Sequence, residues 1–202
     1  WGWMRNAHGI GPGAKVGIGH IRHGGDWDPC PESMRRILWE TGKRTSIDAK
    51  RDAKTVLLEE DELFQFPLLF LAGTNGFPEW SAKARSQLGR HLRYGGLLYI
   101  DSATSNDAFW ESVSRELASI FPSDEMVRLK RDHVLYKSFF LIDKVLGRFD
   151  TDPWAYGLDL HDRTAVVATK TGVLEALERN KLGTWKYECL PGGERQREQA
   201  IR

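Results

Sequence analysis

The stretch FPLLFLAGTNGFPEWSAKARSQLGRHLRYGGLLYID, Phe66 to Asp101, decides the fold. Leu68-Leu69-Phe70-Leu71-Ala72 is a continuous apolar run stopped by Gly73. That is the pattern of a central strand covered on both faces. After a loop from Thr74 to Trp80, Ser81 is a good N-cap, and Ala84, Leu88 and Leu92 fall at helical spacing. A helix to about Tyr94 is predicted. Gly95-Gly96 ends it, and Leu97-Leu98-Tyr99-Ile100-Asp101 reads as the next buried strand. A helix between two apolar strands implies that the strands pair in parallel.

Working outward, Lys15 to Arg22 (KVGIGHIR) predicts a first strand with Val16, Ile18 and His20 on one face. A loop from His23 to Pro31 follows. Pro31-Glu32 then opens a helix through about Thr41, with Met34, Ile37 and Leu38 at helical spacing and Gly42 as its stop. Thr55 to Leu58 is a short second strand. Beyond Asp101, Phe109, Trp110, Val113, Leu117, Ile120 and Phe121 predict a helix closed by Pro122, and Thr164 to Ala168 predicts a further strand. Glu194 to Arg202 reads as the start of a terminal helix whose apolar face is missing. Residues 1–14 read as an irregular arm and 15–202 as a single α/β domain with a mainly parallel sheet. The start at Trp1-Gly2-Trp3 and the end in a charged helix-like segment read as a piece of a longer chain.

The composition is that of an ordinary globular protein, 41% hydrophobic and 28% charged. Lysine plus arginine number 29 against 28 acids, so charge gives no reason to expect a nucleic-acid partner. No apolar run reaches the roughly 18 residues of a membrane span. Cys30 and Cys189 allow one disulfide at most and do not by themselves make a zinc site. Of the eight tryptophans, Trp1, Trp3, Trp80, Trp154 and Trp185 fall in or near loops, where satellite core is the default reading.

In an open α/β sheet, ligands bind beyond the carboxyl ends of the strands. That rule selects His23 to Cys30, Gly73 to Phe77, Asp101-Ser102 and the Asp132-His133 turn, all polar segments. The order and spacing of His23-Gly24-Gly25-Asp26-Trp27, Phe66 to Gly73, Leu92 to Asp101, Asp132 to Phe139 and Arg163 to Val167 resemble the bacterial "domain of unknown function 4159" family. The resemblance covers roughly residues 15 to 202. It implies a flavodoxin-like three-layer sandwich in the class I glutamine-amidotransferase-like superfamily, related to trehalose-utilisation-type proteins. It also implies attachment to exported or envelope-associated chains. Two positions depart from the family pattern. Gly73-Thr74-Asn75-Gly76 stands where a histidine is often found, and Asp101 is followed by Ser102 rather than a second acid. Both departures argue against a catalytic copy.

Class I glutaminases need an activated thiolate on a tight strand-to-helix turn. The turn Ile100-Asp101-Ser102-Ala103-Thr104 has no cysteine, and Cys30 follows the wrong strand. The leading expectation is therefore a ligand- or partner-binding domain without that cysteine. Its pocket, for a small-molecule or carbohydrate-like ligand, is lined by His23, Asp26, Trp27, Thr74, Asn75, Asp101, Ser102 and His133. One alternative is a hydrolase using Ser102 or Asp101 with His133, although the Gly-x-Ser-x-Gly elbow is absent. The other is a protein-interaction module of a larger envelope-associated protein. No cofactor is expected. A metal set drawn from Asp26, Asp28, Asp101, Asp132 and His133 is the lesser reading, since His20 and His23 stand three apart at a strand end and face opposite ways. The plain structural roles are a turn for His23 to Trp27, helix caps for Asp101-Ser102, and a helix start at Asp132-His133.

Overall fold

The computed structural model describes residues 15–102 and 107–202. The arm expected over 1–14 lies outside the described residues, as do Ala103 and Thr104 of the turn after β4. Elements run β1 (Ile18–Ile21), α1 (Pro31–Arg44), β2 (Lys54–Val56), β3 (Leu68–Gly73), α2 (Ala82–Arg93), β4 (Leu97–Ser102) and α3 (Asp107–Ile120). Then come β5 (Val127–Arg128), β6 (Ala155–Leu160), β7 (Arg163–Thr169), α4 (Val173–Leu177) and α5 (Gly193–Ala200). Short 3-10 turns stand at Asp61–Gln65 and Val134–Lys137.

These strands form one seven-stranded sheet in the order β2-β1-β3-β4-β7-β6-β5. The first five are mutually parallel; β6 pairs antiparallel with both β7 and β5. The sheet is thus mixed. Its antiparallel edge was not expected, because the short β5 and the polar-punctuated β6 (AYGLDL) lack the continuous apolar run that marks the central strands.

Alternate residues of the strands face opposite ways. Leu69, Leu71, Leu98, Ile100, Val166 and Ala168 join Leu88 and Leu92 of α2 and Phe109, Val113 and Leu117 of α3 in the larger core cluster. Ile18, Phe70 and Ala72 pack with Met34 and Leu38 of α1 and Leu174 of α4. Each fully buried leucine contributes about 1.5–3 kcal/mol, so the two clusters fix which parity of each strand faces which helices.

The helix starts divide into two kinds. Ser81 caps α2 as expected, its hydroxyl accepting from the Ala84 amide at 3.1 Å. Helices α1 and α4 begin at Cys30 and Gly172, neither of which supplies a side-chain cap. Their amides are met from afar, by Glu178 and Asp101 respectively. Helix α1 also runs past the expected stop, through Gly42 to Arg44. Arg36 and Arg44 both pair with buried Glu40 and extend its last turns.

Terminal helix α5 forms despite lacking an apolar stripe. It is anchored by two buried polar side chains instead. Gln196 Nε2 donates to the carbonyls of Gly147, Arg148 and Leu190, and Arg197 donates to those of Ala176 and Tyr187.

Candidate functional site

Strands β1 and β3 are neighbours whose connections leave in opposite directions, to β2 on one side and β4 on the other. A crevice opens at such a switch point, beyond the carboxyl ends of the strands. Here the loops after β1 and β3 are tied together. Buried His23 donates from Nε2 to the Ala72 carbonyl at 2.8 Å, while its Nδ1 accepts from the Gly25 amide at 3.0 Å. Both ring nitrogens are thereby committed to the neutral form. Burial accordingly lowers the His23 pKa, against the opposing pull of the Ala72 carbonyl and Asp26. Thr74 donates to Asp26 Oδ2 at 2.5 Å, and Asn75 Nδ2 donates to Thr74 at 3.1 Å.

Gly73 permits this closeness. A Cβ there would stand 2.4 Å from the Phe109 ring and 3.3 Å from His23 Nε2. Only a residue without a side chain lets β3 end against α3 and the histidine.

Beside these loops, a cleft of about 350 Å³ is lined by His20, Trp27, Asp28, Arg35, Asp52 and Thr55 among others. His20 and Thr55 are register partners on β1 and β2, which places both at the cleft floor. His20 is 6% exposed and its Nε2 has no hydrogen-bond partner. Its Nδ1 lies 4.0 Å from Asp28 Oδ1, and the Trp27 ring stands edge-on to it at 5.1 Å. Burial, with the nearby His23, pushes the His20 pKa down to about 4, so the ring is neutral at physiological pH. Asp28 has its own pKa raised, by burial first and then by the negative charges of Glu178 and Asp26. Arg35 is engaged by Asp52 at 3.0 Å and Glu32 at 3.3 Å. The sequence places His20 on one face of the first strand and Asp28 among the metal candidates, and neither in the expected pocket. The legible signal was a histidine at an inward position of an apolar strand.

Asp101 has a different occupation. It is fully buried, and its carboxylate accepts from the Val173 amide at 3.0 Å, the Leu174 amide at 2.8 Å and the Thr169 hydroxyl at 2.9 Å. Tyr99 in turn meets Thr169 at 3.0 Å. The carboxylate thus closes the amino end of α4 rather than capping α3 or facing the cleft. Burial still holds its pKa above the usual carboxylate value, with those three hydrogen bonds opposing. Ser102 is buried beside it, in register with Gly73.

His133 lies at the other end of the sheet. It caps the 3-10 turn through Nδ1, accepting from the Leu135 amide, and its Nε2 meets the Thr164 hydroxyl at 3.0 Å. Thr164 is the second residue of β7, whereas Asp101 is in register with Thr169 at its close. Five strand residues separate the two levels, about 16 Å. The expected pairing of Ser102 or Asp101 with His133 therefore fails on geometry, and His133 stands apart from the tied loops of His23, Asp26, Thr74 and Asn75. The same separation breaks up the metal set. Among the described residues no group of three or more His, Cys, Asp or Glu side chains stands arranged to hold a metal ion.

Cys30 and Cys189 are both free and buried. The Cys30 thiol is pushed far up by burial and then by Glu178, Glu175 and Asp101, the reverse of what a nucleophile requires. A second concavity, of about 430 Å³, is apolar. It lies over the amino half of the central strands, floored by Leu68, Phe70, Leu97 and Tyr99 and walled by Ile37 and Phe140.

No curated protein matches the chain. The model of the family described as "Domain of unknown function (DUF4159)" matches residues 17–202, which take in every element from β1 to α5. The chain belongs to that family.

Proposed function

We propose that this is a noncatalytic binding domain for a small polar molecule, carried on a flavodoxin-like, glutamine-amidotransferase-like scaffold that lacks the catalytic cysteine. The strand order β2-β1-β3-β4-β7, with helices packed against both parities of the strands, supports the scaffold. The binding reading is carried by one observation: beside the loop after β1, a cleft of about 350 Å³ gathers the polar side chains of His20, Asp28, Arg35, Asp52 and Thr55 against the Trp27 indole.

The noncatalytic half rests on the fates of the reactive candidates. Asp101 is spent on helix amides, Cys30 is held as a thiol, and His133 is at the far end of the sheet. The test is a titration of the ¹⁵N-labelled 202-residue chain with butylammonium, butanol, butyrate and glucose, following amide shifts. At least one probe is expected to move residues 20–28 and 52–55 together and to remain chemically unchanged. Shifts confined to the apolar concavity near Leu68 and Leu97, or turnover of a probe, would overturn the reading.

A further inference from the structure

One face of the sheet is left partly uncovered. Leu69 and Leu98 pack toward α2 and α3 and are fully buried, whereas Leu68, Leu97 and Tyr99, on the opposite face of the same central strands, are only half-buried. The helix that follows β7 is too short to cover them. Strand β7 has seven residues, about 23 Å, and α4 has five, about 7 Å. It reaches the carboxyl part of that face, where Leu174 meets Phe70 and Ala72. What remains over the amino half is the apolar concavity of about 430 Å³, walled by α1, α4, the end of α5 and the loop at Phe139-Phe140. Exposed Val16, Ile47 and Phe139 also belong to its lining. A walled apolar hollow of this volume has the shape of a small-ligand site rather than of a flat protein interface.

The charged side chains of the lining are Glu40, Arg44 and Arg202, so positive charge is in excess. Glu40 is buried, with one oxygen held by Arg36 at 2.5 Å and the other by Arg44 Nε at 2.6 Å. Arg44 is 39% exposed, and its two Nη groups make no hydrogen bond among the described residues. From the uncovered apolar floor and these open guanidinium donors, we infer that the concavity binds a free aliphatic carboxylate. The acyl chain lies over Leu68, Leu97 and Tyr99, and the head meets Arg44. An alkylammonium is repelled by the arginines, and an alcohol makes the apolar contact without the ion pair. No residue lines both this concavity and the polar cleft near Trp27, so either reading can fail alone.

The experiment follows amide shifts of the same labelled chain with hexanoate, octanoate, decanoate, octanol and octylammonium, each kept below its micellar range. Octanoate is expected to move residues 37–49, 68–70, 97–99 and 135–140 together. Each added pair of methylenes should lower Kd about tenfold. Octanol should bind several-fold more weakly than octanoate, and octylammonium more weakly still. Arg44→Gln should bring octanoate to the affinity of octanol while leaving octanol unchanged. Phe139→Ser, at an exposed position, should weaken both several-fold, with each variant's amide spectrum otherwise retained. Octylammonium binding as tightly as octanoate, or wild-type octanoate binding by Arg44→Gln, overturns the carboxylate class. A Kd that does not change with chain length overturns the apolar seat. Shifts of those amides on dilution without a probe would mean that a second copy covers the face. Sedimentation with phosphatidylglycerol vesicles and no response to octanoate would make it a membrane surface. Either result overturns the inference.

Discussion

Replacing Asp101 separates a structural carboxylate from a catalytic one. In Asp101→Ala the amides of Val173 and Leu174 and the Thr169 hydroxyl lose their acceptor inside a fully buried site. A hydrogen bond to a charged acceptor is worth about 1.5–3 kcal/mol, and each orphaned buried amide costs about 1–3 kcal/mol. These overlap rather than add, so the expected loss is about 3–5 kcal/mol. In Asp101→Asn the carbamoyl oxygen can keep the Val173 amide and the Thr169 hydroxyl, which share one carboxylate oxygen, but the NH₂ then faces the Leu174 amide. One orphan remains, and the loss should be about 1–2 kcal/mol. Urea denaturation followed by tryptophan fluorescence measures both. There is also a pH signature. Because the folded-state pKa is raised, the unfolded chain ionises first, so the contribution of Asp101 is whole below 3.8 and falls as pH rises from 3.8 to the raised value. Wild type should therefore lose ground against Asp101→Asn across that interval and hold constant above it. An Asp101→Ala variant within about 1 kcal/mol of wild type would refute the capping role.

Other consequences are open to direct measurement. Gly73→Ala forces the Phe109 ring and His23 away from β3 and should cost about 1–3 kcal/mol in urea unfolding; a neutral substitution would mean the strand end has slack. Burial lowers both His20 and His91 to about 4, so the unfolded chain takes up more protons between 6.5 and 4, and stability should fall as pH drops through that window. The limit is about 3 kcal/mol per imidazole, and a His91→Gln variant should show a shallower slope. Both thiols are raised by burial, so iodoacetamide at pH 8 should label neither in the native chain and both in urea; rapid native labelling of Cys30 would contradict its position.

The central strands and the α2 start were legible because each depends on neighbouring residues. Leu68 to Gly73 announces double coverage by itself, and Ser81 reaches an amide only three residues away. What sequence could not show depends on partners far along the chain. Helix α5 has no apolar stripe because Gln196 is bonded to carbonyls as much as 49 residues distant. The extension of α1 past Gly42 rests on two arginines sharing Glu40, a pattern of spacing that composition blurs. For the site, the switch-point rule found the loops of His23, Asp26 and Thr74, but it assigned His133 to the same edge. The β6–β7 hairpin, invisible in a weak alternation, sets the 3-10 turn that bears His133 at the opposite end. Thr55 escaped notice as a cleft residue because its place there comes from register with His20, and Asp52 because it enters by pairing with Arg35.

The borrowed helix caps bear on how the chain acquires its structure during synthesis. The Ser33 amide near the start of α1 is met by Glu178, 145 residues later, and α4 waits for a carboxylate delivered by β4. Once the chain has been released through Ser102, β1 to β4 are present, yet α1 still lacks the Glu178 carboxylate at its amino end. Completion of the earliest helix is thereby deferred until nearly the whole domain has emerged. Contacts of such sequence separation slow folding and make it concerted. The domain should accordingly leave the ribosome without a stable N-terminal half, gaining its final structure in one late step that joins its two ends.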